Sequence, residues 1–294
     1  MPASPSLVGP VTGWFAEHAR ELPWRRPGTS PWAVLVSEVM LQQTPVSRVL
    51  PAYLAWLERW PRPADLAADP PGEAVRMWDR LGYPRRALRL HACAGAIAEK
   101  HGGEVPDQLA DLLALPGVGA YTARAVLAFA YRRRAAVVDI NVRRVLARAV
   151  AGQGQPGPPA TAKDLAAMER LLPADGPRAA RFCAAMMELG ALVCTAGRPA
   201  CTGCPVREQC AWRLAGYPAY AGPASRPQRF AGTDRQVRGL LMAVLRAAAG
   251  PVSQASLDLA WPEAGQRQRA QDSLIVDGLI DPLPDGRFAL PGAR

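Results

Sequence analysis

The chain has 294 residues, 49% of them hydrophobic and 20% charged, so it can bury a large core and is neither a small disulfide scaffold nor a disordered chain. Its net charge of +10 rests almost wholly on arginine, since Lys100 and Lys163 are the only lysines; that surplus suits a phosphate-bearing partner, although a genome biased towards Arg, Ala, Pro and Gly codons would also produce it. No run approaches the ~18 apolar residues of a membrane helix, and Met1 to Phe15 lacks the basic start and apolar core of an export signal, so a cytoplasmic protein without membrane contact is expected.

From residue 10 to about 220 apolar positions recur at three- and four-residue steps, broken by short Pro and Gly punctuation, which predicts an almost wholly helical region. Helices are expected near residues 10–19, 31–43, 46–59, 72–80, 84–100, 107–113, 120–131, 141–150, 161–172 and 177–192. The second begins at Ser30 and Pro31 and carries Glu38, whose neighbours three and four positions away are Val34, Leu35, Leu41 and Gln42. No cation on that helix neutralises the carboxyl. Apolar surroundings favour its protonated form, which suits a general acid; a salt bridge from another helix is the competing reading.

Between the seventh and eighth expected helices lies Leu115-Pro116-Gly117-Val118-Gly119. Two glycines two apart permit a tight turn whose backbone N–H groups, with the following helix N-terminus, can face a phosphate, as in a helix-hairpin-helix; a plain helical corner is the alternative. Asp139 then precedes the amphipathic helix bearing Val142, Val145, Leu146 and Ala149. It reads as an N-cap, and the bonds of a cap should hold it ionised, ready to stabilise a cation.

Cys194, Cys201, Cys204 and Cys210 crowd into one segment, whereas Cys93 and Cys183 sit singly in helical patterns as core residues. In a protein without an export signal such a cluster argues for metal rather than disulfides. Four thiolates can hold a [4Fe-4S] cluster or a tetrahedral zinc; with only one closely spaced pair, the gaps favour the cubane. His18, His91 and His101 lie outside these motifs, and neither a hydrolase triad nor a phosphate loop is evident.

Gly152 to Pro159 is an expected loop, and Tyr217 to Arg229, rich in Pro, Gly, Ala and Ser, an expected linker. Beyond it come an amphipathic helix at 234–249, a short one capped by Ser253, a third at 263–278 and a hairpin turning at Pro284-Asp285-Gly286. That order is winged-helix-like, with Arg267 and Arg269 on the third helix as candidates to contact DNA or a docked protein.

With the LPGVG turn, the later aspartate and the four cysteines in this order, residues 10 to 220 resemble the helix-hairpin-helix DNA glycosylases with an iron-sulfur cluster. Leu22-Pro23-Trp24-Arg25, Ser37 to Thr44 (SEVMLQQT), Leu81-Gly82-Tyr83 and Glu188 to Cys194 (ELGALVC) look like the A/G-specific adenine DNA glycosylases, the MutY type. The resemblance implies a mainly α, two-lobed fold: a six-helix domain at 30–137, a cluster domain from 1–29 and 138–216, a linker at 217–231 and the winged-helix-like domain at 232–294. It implies a monomer acting on double-stranded DNA that flips out an adenine mispaired with 8-oxoguanine or guanine and hydrolyses its N-glycosidic bond.

On the matching positions, Glu38 would protonate the adenine ring and Asp139 would stabilise the cationic sugar, supported by Tyr121 and Asn141. Arg20, Trp24, Arg25 and Gln42 would line the substrate pocket, Gln43, Leu81 and Tyr83 would meet or wedge the base stack, and Leu115, Gly117, Val118 and Gly119 would hold phosphate. The four cysteines would bind a [4Fe-4S] cluster. Lyases of the same superfamily carry a lysine where Tyr121 stands, and a phenol cannot form their Schiff base, so a monofunctional enzyme is implied. The competing functions are a thymine or oxidised-pyrimidine glycosylase on the same scaffold and a non-catalytic iron-sulfur DNA-binding protein. The chain departs from the family in Pro84 after Leu-Gly-Tyr, and in lacking a recognisable β-rich C-terminal domain of the kind that reads 8-oxoguanine.

Overall fold

The computed structural model describes residues 6–159, 161–222 and 230–292, so residues 223–229 of the expected linker lie outside the described residues. The chain is mainly α-helical. Its α-helices are α1 (Val8–His18), α2 (Pro31–Met40), α3 (Val46–Arg59), α4 (Pro63–Ala68), α5 (Pro71–Trp78), α6 (Arg85–Lys100), α7 (Leu109–Ala114), α8 (Ala120–Phe129), α9 (Ile140–Val145), α10 (Thr161–Glu169), α11 (Gly176–Leu192), α12 (Ala211–Leu214), α13 (Asp234–Ala247), α14 (Gln254–Asp258) and α15 (Ala264–Val276). A hairpin of β1 (Asp281–Pro282) and β2 (Phe288–Ala289) follows, antiparallel, with Asp281 opposite Ala289.

The differences from the periodicity have local causes. The expected helix at 31–43 ends at Met40, and Gln43 beyond it is left-handed with φ 56°. The helix expected to reach residue 80 stops at Trp78 because Asp79 turns to φ 41°. The 141–150 helix divides into α9 and a π-helical turn, Leu146–Val150. Short α4 is not among the expected helices because six residues carry too little periodicity. The expected caps are present: Ser30 Oγ accepts from the Ala33 N–H at 3.2 Å, Asp139 Oδ1 from Val142 at 2.7 Å, and Ser253 Oγ from Ser256 at 3.2 Å.

The chain forms two compact units. One comprises Met1–Val34, Asp107–Leu113 and Gly119–Ala224. Its core centres on α11, against which α1, α8 and α9 pack. Buried Ala179, Ala180, Ala185 and Gly190 keep that helix slim, and a Cβ at Gly190 would stand 2.7 Å from the Asn141 carbonyl oxygen. The helices therefore approach at backbone distance.

The other unit comprises Leu35–Pro106, Ala114–Val118 and Ser225–Arg294. Trp56 meets Trp60 and Trp78 edge-on, with ring centroids 4.7 and 5.6 Å apart, and α4 and α5 pack against α6. The C-terminal helices belong to this unit, where α13 packs on α15 and Val252 bridges to Phe288 beside the hairpin. Arg267 ion-pairs with Asp258 at 2.8 Å and Arg269 lies 3.8 Å from Asp234. These two arginines, candidates for outside contact, thus have acidic neighbours within their own segment.

Candidate active site

In the second unit, residues 35–40 of α2 are all buried, and Glu38 among them is 4% exposed. The carboxyl therefore stands on a helix that the fold encloses on nearly every side. The chain leaving α2 carries half-buried Gln42, exposed Gln43 in its left-handed conformation, and buried Thr44. A second loop runs alongside, with buried Leu81, Gly82 at φ 80° and exposed Tyr83 at φ 49°. Thr44 Oγ1 donates to the Leu81 carbonyl at 3.1 Å and joins the two. Both expected wedge residues, Gln43 and Tyr83, thus project from left-handed backbone, where only strong surrounding contacts keep a non-glycine residue.

Those contacts come from Arg86, which is not among the expected site residues. Its Nη1 donates to the carbonyls of Val39, Met40 and Gln42 at 2.9, 3.1 and 2.6 Å, and its Nη2 to Thr44 Oγ1, Leu81 O and Gly82 O at 3.0, 3.3 and 2.9 Å. Burial pushes its pKa down to about 10, against which the Tyr83 hydroxyl acts, so the group stays cationic at neutral pH. Carbonyls at the C-terminal end of α2 bear the negative end of the helix dipole, a suitable counterweight to a buried cation. A signal existed: Arg86 falls on the apolar stripe Leu90, Cys93, Ile97 of α6.

In the LPGVG turn, Gly117 has φ 75° and a Cβ there would lie 2.7 Å from that of Arg89, so glycine is required twice over. Gly119 is extended, caps α8 without a side-chain bond, and faces open space where a Cβ would meet nothing within 4 Å. Leu115 and Val118 are buried, and the Val118 N–H closes the turn onto Leu115 O at 3.2 Å.

In the first unit, Asp139 is the N-cap of α9. Its Oδ2 accepts from Asn141 Nδ2 at 2.7 Å, Asn141 Oδ1 accepts from Arg144 at 2.7 Å, and Arg144 Nε donates to the Cys194 carbonyl at 2.6 Å. Two expected residues are thereby brought together, and a third is linked through an arginine absent from the sequence reading. Burial raises the Asp139 pKa above its ordinary value, outweighing the opposing bonds from Val142 and Asn141 and the charge of Arg144. The bonds of the cap work in the expected sense, towards the ionised form, while loss of hydration works against them and sets the direction of the shift. Tyr121 lies in the first turn of α8, half-buried.

Arg20 and Arg25 converge on Glu188 of α11, whose side chain is fully buried. Arg20 donates through Nε and Nη2 at 2.7 and 2.9 Å and Arg25 through Nη2 at 2.8 Å. Trp24, between them in sequence, is buried. Burial works to raise the Glu188 pKa, but the two guanidinium groups prevail and hold it at about 2, below its ordinary 4.5. A folded-state value under the unfolded one means that the stabilisation is complete above pH 4.5 and is lost as pH falls towards 2, an amount of about 3 kcal/mol. Denaturant midpoints at pH 5 and pH 3 should therefore fall further for the wild type than for Glu188→Gln, and equal falls would show that this carboxylate does not drive the acid sensitivity.

The four clustered cysteines line one apolar cavity with Val145, Arg148 and Leu189. All are reduced, and Arg148 Nη1 lies 3.5 Å from Cys194 Sγ while also donating to Thr195 O at 2.7 Å. Among the described residues no three His, Cys, Asp or Glu side chains converge closely enough to chelate a single ion. Four thiols around one apolar cavity, with an arginine to offset anionic sulfur, is a donor set that fits an iron-sulfur cluster.

Residues 36–170 match the family described as HhH-GPD superfamily base excision DNA repair protein. The chain is 53% identical to an adenine DNA glycosylase of Mycobacterium tuberculosis (strain CDC 1551 / Oshkosh) over 98% of this chain and 97% of that one. It is 55% identical to an adenine DNA glycosylase of Mycolicibacterium smegmatis over 97% of each. Among solved structures it is similar to a thermostable thymine-DNA glycosylase, with TM-score 0.63 and 27% identity over 71% of this chain and 95% of that one. Residues 36–170, the span that includes Glu38, the Gly117 turn and Asp139, thus belong to an HhH-GPD base-excision DNA repair protein. Within that superfamily, the chain belongs to the adenine DNA glycosylase family.

Proposed function

We propose that the protein binds double-stranded DNA as a monomer and removes adenine mispaired with 8-oxoguanine or guanine by hydrolysing its N-glycosidic bond, without cutting the strand. The observation that carries this reading is a carboxyl only 4% exposed on the buried stretch of α2, in a chain 53% identical to an adenine DNA glycosylase along its length. Glu38 gives its proton to the extruded purine ring, so that adenine departs as a neutral base. Asp139, steadied by Val142 and Asn141, faces the sugar as positive charge develops at C1′, and water completes the hydrolysis. Tyr121 and Asn141 support that centre. A phenol at position 121 supplies no amine to attack C1′, which accords with hydrolysis rather than strand cleavage.

Gly117, Gly119 and the start of α8 grip a phosphate of the lesion strand. Gln43, Leu81 and Tyr83 meet the base stack, and Trp24, Arg25, Arg20 and Gln42 border the extruded base; the two arginines do so from their ion pairs with Glu188. Cys194, Cys201, Cys204 and Cys210 would hold a [4Fe-4S] cluster, which when bound supplies a rigid cross-link across that segment. The helix order and the Val252–Phe288 bridge support a winged-helix-like module at 232–294, within the compact unit that it shares with residues 35–106. Purified protein should release adenine from a duplex carrying adenine opposite 8-oxoguanine and leave an abasic site that breaks only on alkali treatment. No release from that duplex would reject the reading, and release of thymine or an oxidised pyrimidine from a mismatch panel would replace it.

A further inference from the structure

Asp79, Gly82 and Tyr83 take φ values of 41°, 80° and 49° within five residues, a backbone that side chains do not hold by themselves. Yet Tyr83 at its end is 44% exposed. Two guanidinium groups hold its ring: the Arg86 carbon lies 5.7 Å from the ring centroid and the Arg235 carbon 4.7 Å from it. Arg235 Nη2 also donates to the Tyr83 hydroxyl at 2.6 Å. Arg86 belongs to α6, but Arg235 comes from the first turn of α13, more than a hundred residues away in the C-terminal segment.

That segment is anchored on both flanks of the Tyr83 loop. On the α5 side, the Gly72 N–H donates to Pro291 O at 2.7 Å, where any Cβ would collide, and Arg76 donates to Ala248 O at 2.8 Å. On the α6 side, Arg85 pairs with Asp277 at 3.1 Å, and the same carboxylate accepts from Arg238 at 2.6 Å. Arg235 is thus delivered to Tyr83 by a scaffold fixed before and after the loop.

We propose that Arg235 is a positioning residue and that the C-terminal segment serves to lock Tyr83 in its protruding conformation before DNA arrives, so that the mispair is probed by a preformed aromatic. This rests on the reading of Tyr83 as a wedge. A side chain already ordered spares the ordering cost at binding, so the lock acts on recognition of the lesion duplex more than on bond cleavage. The bond and the cation–π contact together should be reflected in about a tenfold change in affinity.

The test uses full-length protein, an adenine:8-oxoguanine duplex and its fully paired counterpart. Arg235→Ala should weaken binding of the lesion duplex about tenfold and that of the paired duplex less than threefold, with the loss in KM rather than in the single-turnover rate. Arg235→Lys, which keeps the charge but not the planar fork, should recover only part of it. Amide exchange of residues 79–85 in the DNA-free protein should quicken in Arg235→Ala while the thermal midpoint stays within about 2 °C of wild type. In a Tyr83→Ala background, Arg235→Ala should add little. Unaltered exchange at 79–85, or an equal loss of affinity in the Tyr83→Ala background, overturns the proposal and makes Arg235 a separate DNA contact or an idle one. Failure of the wild type to release adenine would instead reject the wedge reading, with the exchange measurement still deciding whether Arg235 locks Tyr83.

Discussion

Glu38→Gln should release adenine ~10²–10⁴ times more slowly than the wild type in single-turnover assays, while binding the lesion duplex with unchanged or tighter affinity. Glutamine fills almost the same volume, which matters at a position 4% exposed, where a smaller side chain would open a cavity and confuse lost chemistry with lost packing. It cannot deliver a proton to the departing base. The contacts with DNA proposed for Gly117, Gly119, Gln43 and Tyr83 involve other residues, so binding measured by fluorescence anisotropy should survive. A release rate within tenfold of wild type would show that the acid is another group, and parallel losses of rate and affinity would make Glu38 structural.

Arg86→Met should be the most damaging substitution among the side chains that build the site. It keeps much of the apolar stem but removes the one guanidinium that five carbonyls and the Thr44 hydroxyl now accept from, with only Gln42 O, Leu81 O and Gly82 O keeping a donor in Thr44 Oγ1 or Trp78 Nε1. Leaving buried acceptors unsatisfied, with a network this concentrated, should cost about 3–5 kcal/mol, or roughly a 10 °C fall in thermal midpoint for a chain of this size. Base release should decline with it, because the same bonds fix the end of α2 just beyond Glu38 and the loop that presents Tyr83. Lysine at 86 retains the charge but offers three donors from a point rather than a fork, so Arg86→Lys should restore only a minor part. A midpoint shift under about 2 °C for Arg86→Met would mean that water replaces the guanidinium and that the loops are held by other means.

The two acidic positions show where sequence reading succeeds and where it stops. Glu38 stood out because apolar neighbours at helical spacing betray a buried face, and the fold buries it. Asp139 was recognisable as a cap from the residues after it, and its bond to Val142 is there. The upward direction of its pKa shift is not legible there, because a cap is a local feature whereas loss of hydration depends on everything packed around it. Glu188 sits on α11 with Ala184, Ala185, Ala191 and Leu192 three and four positions away, the same pattern that marks Glu38, so the same argument reaches it. Its partners could not, since Arg20 and Arg25 are more than 160 residues away.

By itself the chain determined the helical class, the caps and turns that begin and end most helices, the glycine turn at 117 and the grouping of four cysteines, all of which depend on neighbours within a few residues. Tertiary structure decided which arginines serve the interior, which loops are forced into left-handed backbone, and that residue 235 reaches residue 83. The physical reason is one of range: capping, periodicity and turn chemistry act within a helical turn or two. Burial, ion pairing and the bracing of strained loops are properties of surfaces that meet only once the chain has folded.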